Sequence, residues 1–206
     1  MQFTELQVRT ALKVGRQEVN DGSVINARGG KQGDGIVSQM HGRYTQAVLD
    51  GNVYVLANQA AVTTTAVLTS TYTGLAIGNP LASGKNCAIL QAGFGQHAVA
   101  AAGVVGLMTA TQVITSSLTP KNRLTGGAGS VCAGDDAFSI TNTAILEQII
   151  GSTGSQATTG WGTQPAPMID LGGSLILVPG NAVMFYTSVI TTTALIFWIM
   201  WEEIPI

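Results

Sequence analysis

Groups able to do chemistry are few in this chain of 206 residues. Its two histidines are His41 and His97, so a Ser-His-Asp relay would have to use one of them. His41 sits beside Arg43 and near Asp34 and Asp50, where a hydrogen-bonded or exposed structural imidazole is the expected role. The adjacent acids Asp135-Asp136 could hold a hard cation such as Ca²⁺, although a solvated loop pair is the commoner use of such a dipeptide. Cys87 and Cys132 match no C-x-x-C or His-paired metal spacing. Two buried free thiols are the expected state, with a disulfide left open. The amino-terminal residues show neither a basic nor an apolar region of a signal peptide, so synthesis in a cytoplasm is expected, where structural disulfides are rare.

Two glycine motifs suggest phosphate chemistry, and both fail on their neighbours. Gly93-Phe94-Gly95-Gln96-His97-Ala98 fits the dinucleotide fingerprint and follows an apolar run. That chemistry also needs an acid about twenty residues on to hold the ribose hydroxyl. No Asp or Glu lies between Asp50 and Asp135, so a glycine-rich turn is expected instead. Around Gly84-Lys85, the spacing from Gly78 is one residue too long for a phosphate-binding loop, and Asn86 stands where Ser or Thr is required. Neither a catalytic set, nor a cofactor site, nor a metal site can be assembled, and no enzyme is expected.

The elements that would carry these groups are strands. Apolar residues make up 46% of the chain and charged residues 10%, against about 25% charged in ordinary soluble domains, which excludes a disordered chain. With Lys+Arg 9 against Asp+Glu 11, no positive field collects phosphates, so nucleic acid is not expected as a partner. Charge concentrates in residues 1–50, whereas 51–120 carry Lys85 alone. The first segment is punctuated by Asn20-Asp21-Gly22, Ala27-Arg28-Gly29-Gly30 and Gly33-Asp34-Gly35. It reads as a charged, glycine-rich arm with short extended pieces at 36–40 and 44–49. From residue 51 the chain turns β-branched: 53–56, 61–69, 87–92, 113–118, 138–140 and 168–171 read as strands. Turns fall at Gly78-Asn79-Pro80 and Ser83-Gly84-Lys85-Asn86, and a long loop covers 151–167 around Trp161. Residues 98–110 and 144–150 are the two possible helices. The expected fold is all-β: a β-sandwich or jelly-roll over 51–206, with the arm at 1–50.

Residues 182–201 are twenty without a charge, the length of a membrane span. Five of them are Ser or Thr, and Lys or Arg does not flank them. A hairpin is therefore expected: residues 181–189 out, a bend at Thr191-Thr192-Thr193, and 194–201 back. A membrane-anchored protein is the distant alternative. Trp198 and Trp201, on the last strand, would anchor a core or a subunit contact.

The sequence from Leu175 through Val178-Pro179-Gly180-Asn181-Ala182 to Trp201-Glu202-Glu203-Ile204-Pro205 resembles small structural proteins of tailed bacteriophages. Gly78-Asn79-Pro80 with Gly84-Lys85-Asn86, and Gly33-Asp34-Gly35-Ile36-Val37-Ser38 with His41-Gly42-Arg43, look like further segments of that family. The resemblance implies a virion component, an all-β trimer of the decoration (cement) or tail-associated kind, and it carries no catalytic residues. The partners would then be further copies of the chain and the major capsid protein or other virion proteins. Arg9, Arg16, Arg28 and Arg43 of the arm would pair with carboxylates on the head. A tail or fibre protein touching a receptor or glycan through Trp161 is the alternative.

Overall fold

In a computed structural model, residues 42–66, 71–115, 117–154 and 166–206 are described. Tyr44–Ile206 forms one compact unit. After a short helix α1 (Thr45–Leu49), ten strands follow: β1 (Val53–Ala57), β2 (Thr71–Gly78), β3 (Lys85–Gln96), β4 (Gly103–Thr111), β5 (Lys121–Asn122), β6 (Ala133–Ser139), β7 (Ile145–Thr153), β8 (Met168–Leu177), β9 (Asn181–Thr187) and β10 (Leu195–Pro205). They form two antiparallel sheets, ordered β5-β1-β10-β3-β8 and β6-β2-β9-β4-β7. Consecutive strands alternate between the sheets almost throughout. Without the outermost β5 and β6, the orders β1-β10-β3-β8 and β2-β9-β4-β7 are those of an eight-stranded jelly roll. The all-β expectation holds.

The core lies between the sheets. Tyr54, Leu56, Ile89, Phe94, Leu195, Phe197 and Trp201 of the first sheet meet Leu75, Ile77, Val105, Leu107, Val183 and Phe185 of the second. The Phe185 and Phe197 rings stack across the gap with centroids 4.5 Å apart. Both outer faces also carry apolar clusters. Tyr72, Met108, Ala182 and Met184 pack with Phe138 and Tyr186 on the second sheet. On the first, Val53, Leu90 and Met200 are covered by Tyr44, Ala47, Val48 and Trp198.

That cover explains α1, where the sequence suggested an extended piece at 44–49. Tyr44, Ala47 and Val48 fall at i, i+3 and i+4 over the Val53–Leu90–Met200 patch, and Gln46 donates to Asp50 at 2.8 Å one turn on. The possible helices at 98–110 and 144–150 are strands β4 and β7 instead. β4 pairs with both β9 and β7, and β7 with β4 along its length, and this outweighs the alanine content. The expected strands at 61–69 and 113–118 shrink to single bridges, Val62 to Leu195 and Leu118 to Gly134; residues 67–70 and 116 lie outside the described residues.

The carboxy-terminal hairpin is also corrected. Residues 181–187 and 195–205 are strands, but β9 belongs to one sheet and β10 to the other. The bend between them is a corner of the sandwich, held by threonines. The Thr64 hydroxyl lies 2.8 Å from those of Thr187 and Thr191 and accepts from the Thr191 amide at 3.2 Å. Thr193, at φ 46, exchanges hydrogen bonds with Thr63. Where the ladder stops, hydroxyls take over the backbone groups.

The glycines at 93–95 do not form the expected turn; they lie inside β3. Gly93 stands opposite Trp198, and a Cβ there would come within 2.8 Å of the Trp198 Nε1. The indole covers the bare backbone of the neighbouring strand. Gly106 is tighter still, because a Cβ would overlap the Gln148 carbonyl of β7 beside a register shift. Gly106→Ala is therefore expected to push β7 off β4 and cost about 1–3 kcal/mol, measured by urea unfolding. An unchanged midpoint would contradict the close packing.

Candidate functional site

Each sheet has two edges, and the side of the sandwich formed by β7 and β8 carries the longer and more apolar pair. On the other side β5 lies beside β1, and β6 beside β2. Here β7 and β8 end their sheets, and Gly151 of β7 approaches Pro167 and Phe94, so the two edges lie close together. An edge strand displays unpaired N–H and C=O groups, which proteins usually guard with lysine, proline or very short strands. β7 is nine residues long with neither Lys nor Pro, and Ile145, Leu146, Glu147, Gln148 and Ile149 are all exposed. Its guards are the single charge of Glu147 and its shifts of register against β4. Ile145 is 63% and Ile149 58% exposed, fractions that an apolar side chain of a solvated strand seldom shows in pairs. Met168 and Ile176 on β8, and Val178 just beyond it, extend the apolar surface. Glu147 accepts from the Thr109 hydroxyl at 2.6 Å, and Asp170 from that of Tyr44 at 2.8 Å, so the side's acids are already engaged.

A second feature is a buried polar cluster that sequence reasoning missed. Glu203 on β10 is 0% exposed. Its carboxylate accepts from Lys85 Nζ at 2.9 Å, from the Val131 amide at 2.9 Å and from the Ser130 hydroxyl. Lys85 is the one charge in residues 51–120, and that isolation was the available signal. The hydrogen bond to Glu203 raises its pKa above the ordinary lysine value. Tyr54 reaches the Gly129 carbonyl at 3.4 Å, and burial followed by the Glu203 charge pushes its phenol upward. Every member of this cluster is satisfied by a neighbour. It ties the 129–132 segment to the last strand, and no nucleophile faces a base across open space.

The residues singled out from sequence scatter accordingly. Trp201 lies wholly in the chain's own core, its ring 6.1 Å from Tyr54. Trp198 is half-buried on the outer face of the first sheet. Arg43 is exposed. Arg9, Arg16, Arg28, His41 and Trp161 lie outside the described residues. His97 is exposed at the end of β3, its amide bonded to the Ala194 carbonyl. Asp135-Asp136 is not a solvated loop pair: both lie in β6, and Asp135 is buried, accepting from Ser117 Oγ at 2.7 Å and from the amides of 136 and 137. Cys87 and Cys132 are both buried and free. Among the described residues no three His, Cys, Asp or Glu side chains group as metal ligands, and no helix is long and apolar enough to cross a membrane. Against known proteins the chain finds no match, whether among protein families, curated proteins or solved structures.

Proposed function

We propose that the chain is a structural subunit of a virion, a homo-oligomeric decoration protein of the kind that cements tailed-phage heads. The observation that carries the reading is the apolar edge formed by β7 and β8. A nine-residue edge strand with few guards presents Ile145, Leu146 and Ile149, with the apolar residues of β8 alongside. A second copy seated there supplies backbone partners for the edge and removes those side chains from water. The jelly-roll winding adds support by analogy alone, since viral capsid domains use it and so do lectins. In a closed ring each copy offers this side to the next, and the charged segment before Tyr44 is left for the head.

The test is the association state of the full chain. By sedimentation equilibrium the wild type is expected to be a trimer, as the resemblance implies, and to co-sediment with purified phage heads stripped of decoration. Replacing Ile145 and Ile149 with lysine removes about 3 kcal/mol or more of apolar burial per copy and charges the edge. Association should weaken roughly a hundredfold or more, with the far-UV spectrum unchanged. A wild type that stays monomeric at high concentration and ignores the heads would end this reading.

A further inference from the structure

Cys87 and Cys132 come from different halves of the sandwich. Cys87 lies in β3 of the first sheet, and Cys132 immediately precedes β6 of the second. Cys87 stands directly opposite Glu203 on β10, and residues opposite one another across an antiparallel pair project from the same face. From that face the Glu203 carboxylate reaches the Val131 amide and the Ser130 hydroxyl, and the Ser130 oxygen accepts from the Cys132 amide at 3.0 Å. The contacts that bring 130–131 to Glu203 thus bring Cys132 to Cys87. Both thiols sit in the same apolar cluster, 0% and 4% exposed, and Cys87 is the neighbour that raises the Cys132 pKa most.

We propose that Cys87 and Cys132 form a disulfide bond that staples the two sheets when the chain folds in the presence of a disulfide oxidant. With oxidised glutathione the step balances. One cysteine thiolate attacks a glutathione sulfur, expels one glutathione thiolate and leaves a mixed disulfide; the second thiolate then displaces the other glutathione. One S–S bond replaces another, two electrons pass from the protein to glutathione, and the two protons lost by the cysteines end on the two glutathione thiols. The neighbouring Cys87 and burial hold Cys132 protonated in the folded chain. The exchange therefore belongs to folding, before the sheets close.

The experiment refolds the full chain from denaturant with oxidised glutathione or with a reductant. Each folded product is then denatured and alkylated with iodoacetamide. The oxidised product is expected to take up no alkyl group and to be lighter by two hydrogens. Its melting temperature should be higher by roughly 10 °C, because the bond closes a loop of about 45 residues. Cys132→Ala, treated identically, should show no such gain. Any of four results overturns the proposal: two alkylatable thiols in the oxidised folded product, glutathione retained on either cysteine, a thermal gain that survives in Cys132→Ala, or recovery of folded chain only under reductant.

Discussion

Trp201→Ala is expected to lower the stability of the chain by about 3–5 kcal/mol, the range for deleting a fully buried large aromatic side chain. Trp201 is 0% exposed and pairs directly with Tyr54 on β1, its ring lying 26° from parallel to the tyrosine. Its loss opens a void between β1, β10 and the Glu203 cluster two residues on, where the surrounding strands are held too firmly to collapse inward. Trp201→Phe separates volume from polarity. The Trp201 Nε1–H is buried without a hydrogen-bond partner, so phenylalanine removes an unsatisfied donor together with part of the packing. Those terms oppose each other, and the change should stay within about 1.5 kcal/mol. Urea unfolding followed by far-UV circular dichroism measures both variants. If Trp201→Ala cost no more than Trp201→Phe, the ring would not be part of the core.

How much of this was legible in the sequence depends on which interaction decided each element. The strands at 53–57, 87–92 and 168–171 announce themselves through local apolar and β-branched runs. Partner choice does not. Nothing local in 181–201 says whether its two strands pair with each other or divide between sheets, because that turns on what β2, β4 and β3 offer from elsewhere in the chain. The threonines show the same gap. Thr191, Thr192 and Thr193 favour extended backbone by propensity, yet Thr191 and Thr193 serve through hydroxyl and amide bonds to Thr63 and Thr64, more than a hundred residues earlier. For 144–150 the residue types suit a helix, and a tertiary partner, β4, overrode them.

The low charge has a more exact meaning in the fold than in the composition. The sequence invites the view that so neutral a chain must bury its faces against other copies. Much of that apolar content is consumed within the chain, since both sheets carry clusters on their outer faces besides the core between them. The Val53–Leu90–Met200 face is roofed by α1, and the Tyr72–Met184 face packs against Phe138 and Ile140. Six of the thirteen large apolar residues left exposed among those described lie on β7, β8 or at Val178, so the surplus concentrates at the side where β7 and β8 are the edge strands. Lys85 was visible as an isolated charge, but its purpose was not, because Glu203 lies at the far end of the sequence and reads there only as the polar boundary of an apolar run.

Raising the pH above about 9 is expected to destabilise the chain with increasing steepness. Four groups hold their protons more tightly folded than unfolded. Burial pushes Tyr72 far above its ordinary 10.0, its hydroxyl donating to the Leu75 carbonyl at 2.8 Å. Burial and then the Glu203 charge raise Tyr54, also from 10.0. The Glu203 hydrogen bond raises Lys85 from 10.5. The neighbouring Cys87 and then burial raise Cys132 from 9.0. As the pH passes each unfolded value the unfolded chain gives up its proton first, and stability falls from there until the folded group titrates as well. Below 9.0 the four contributions are complete; above 10.5 all four are being lost together. Each proton difference adds a slope of about 1.4 kcal/mol per pH unit. Tyr72→Phe isolates one of them. It forfeits the hydrogen bond to Leu75, about 1 kcal/mol at neutral pH, yet has no phenol to ionise on unfolding. Its stability curve should therefore start below that of the wild type at pH 7, fall less steeply above pH 10 and meet it on the alkaline side. Urea midpoints across that range decide the matter: parallel curves for the two proteins would mean that Tyr72 titrates alike in both states and is not sealed between β2 and β6.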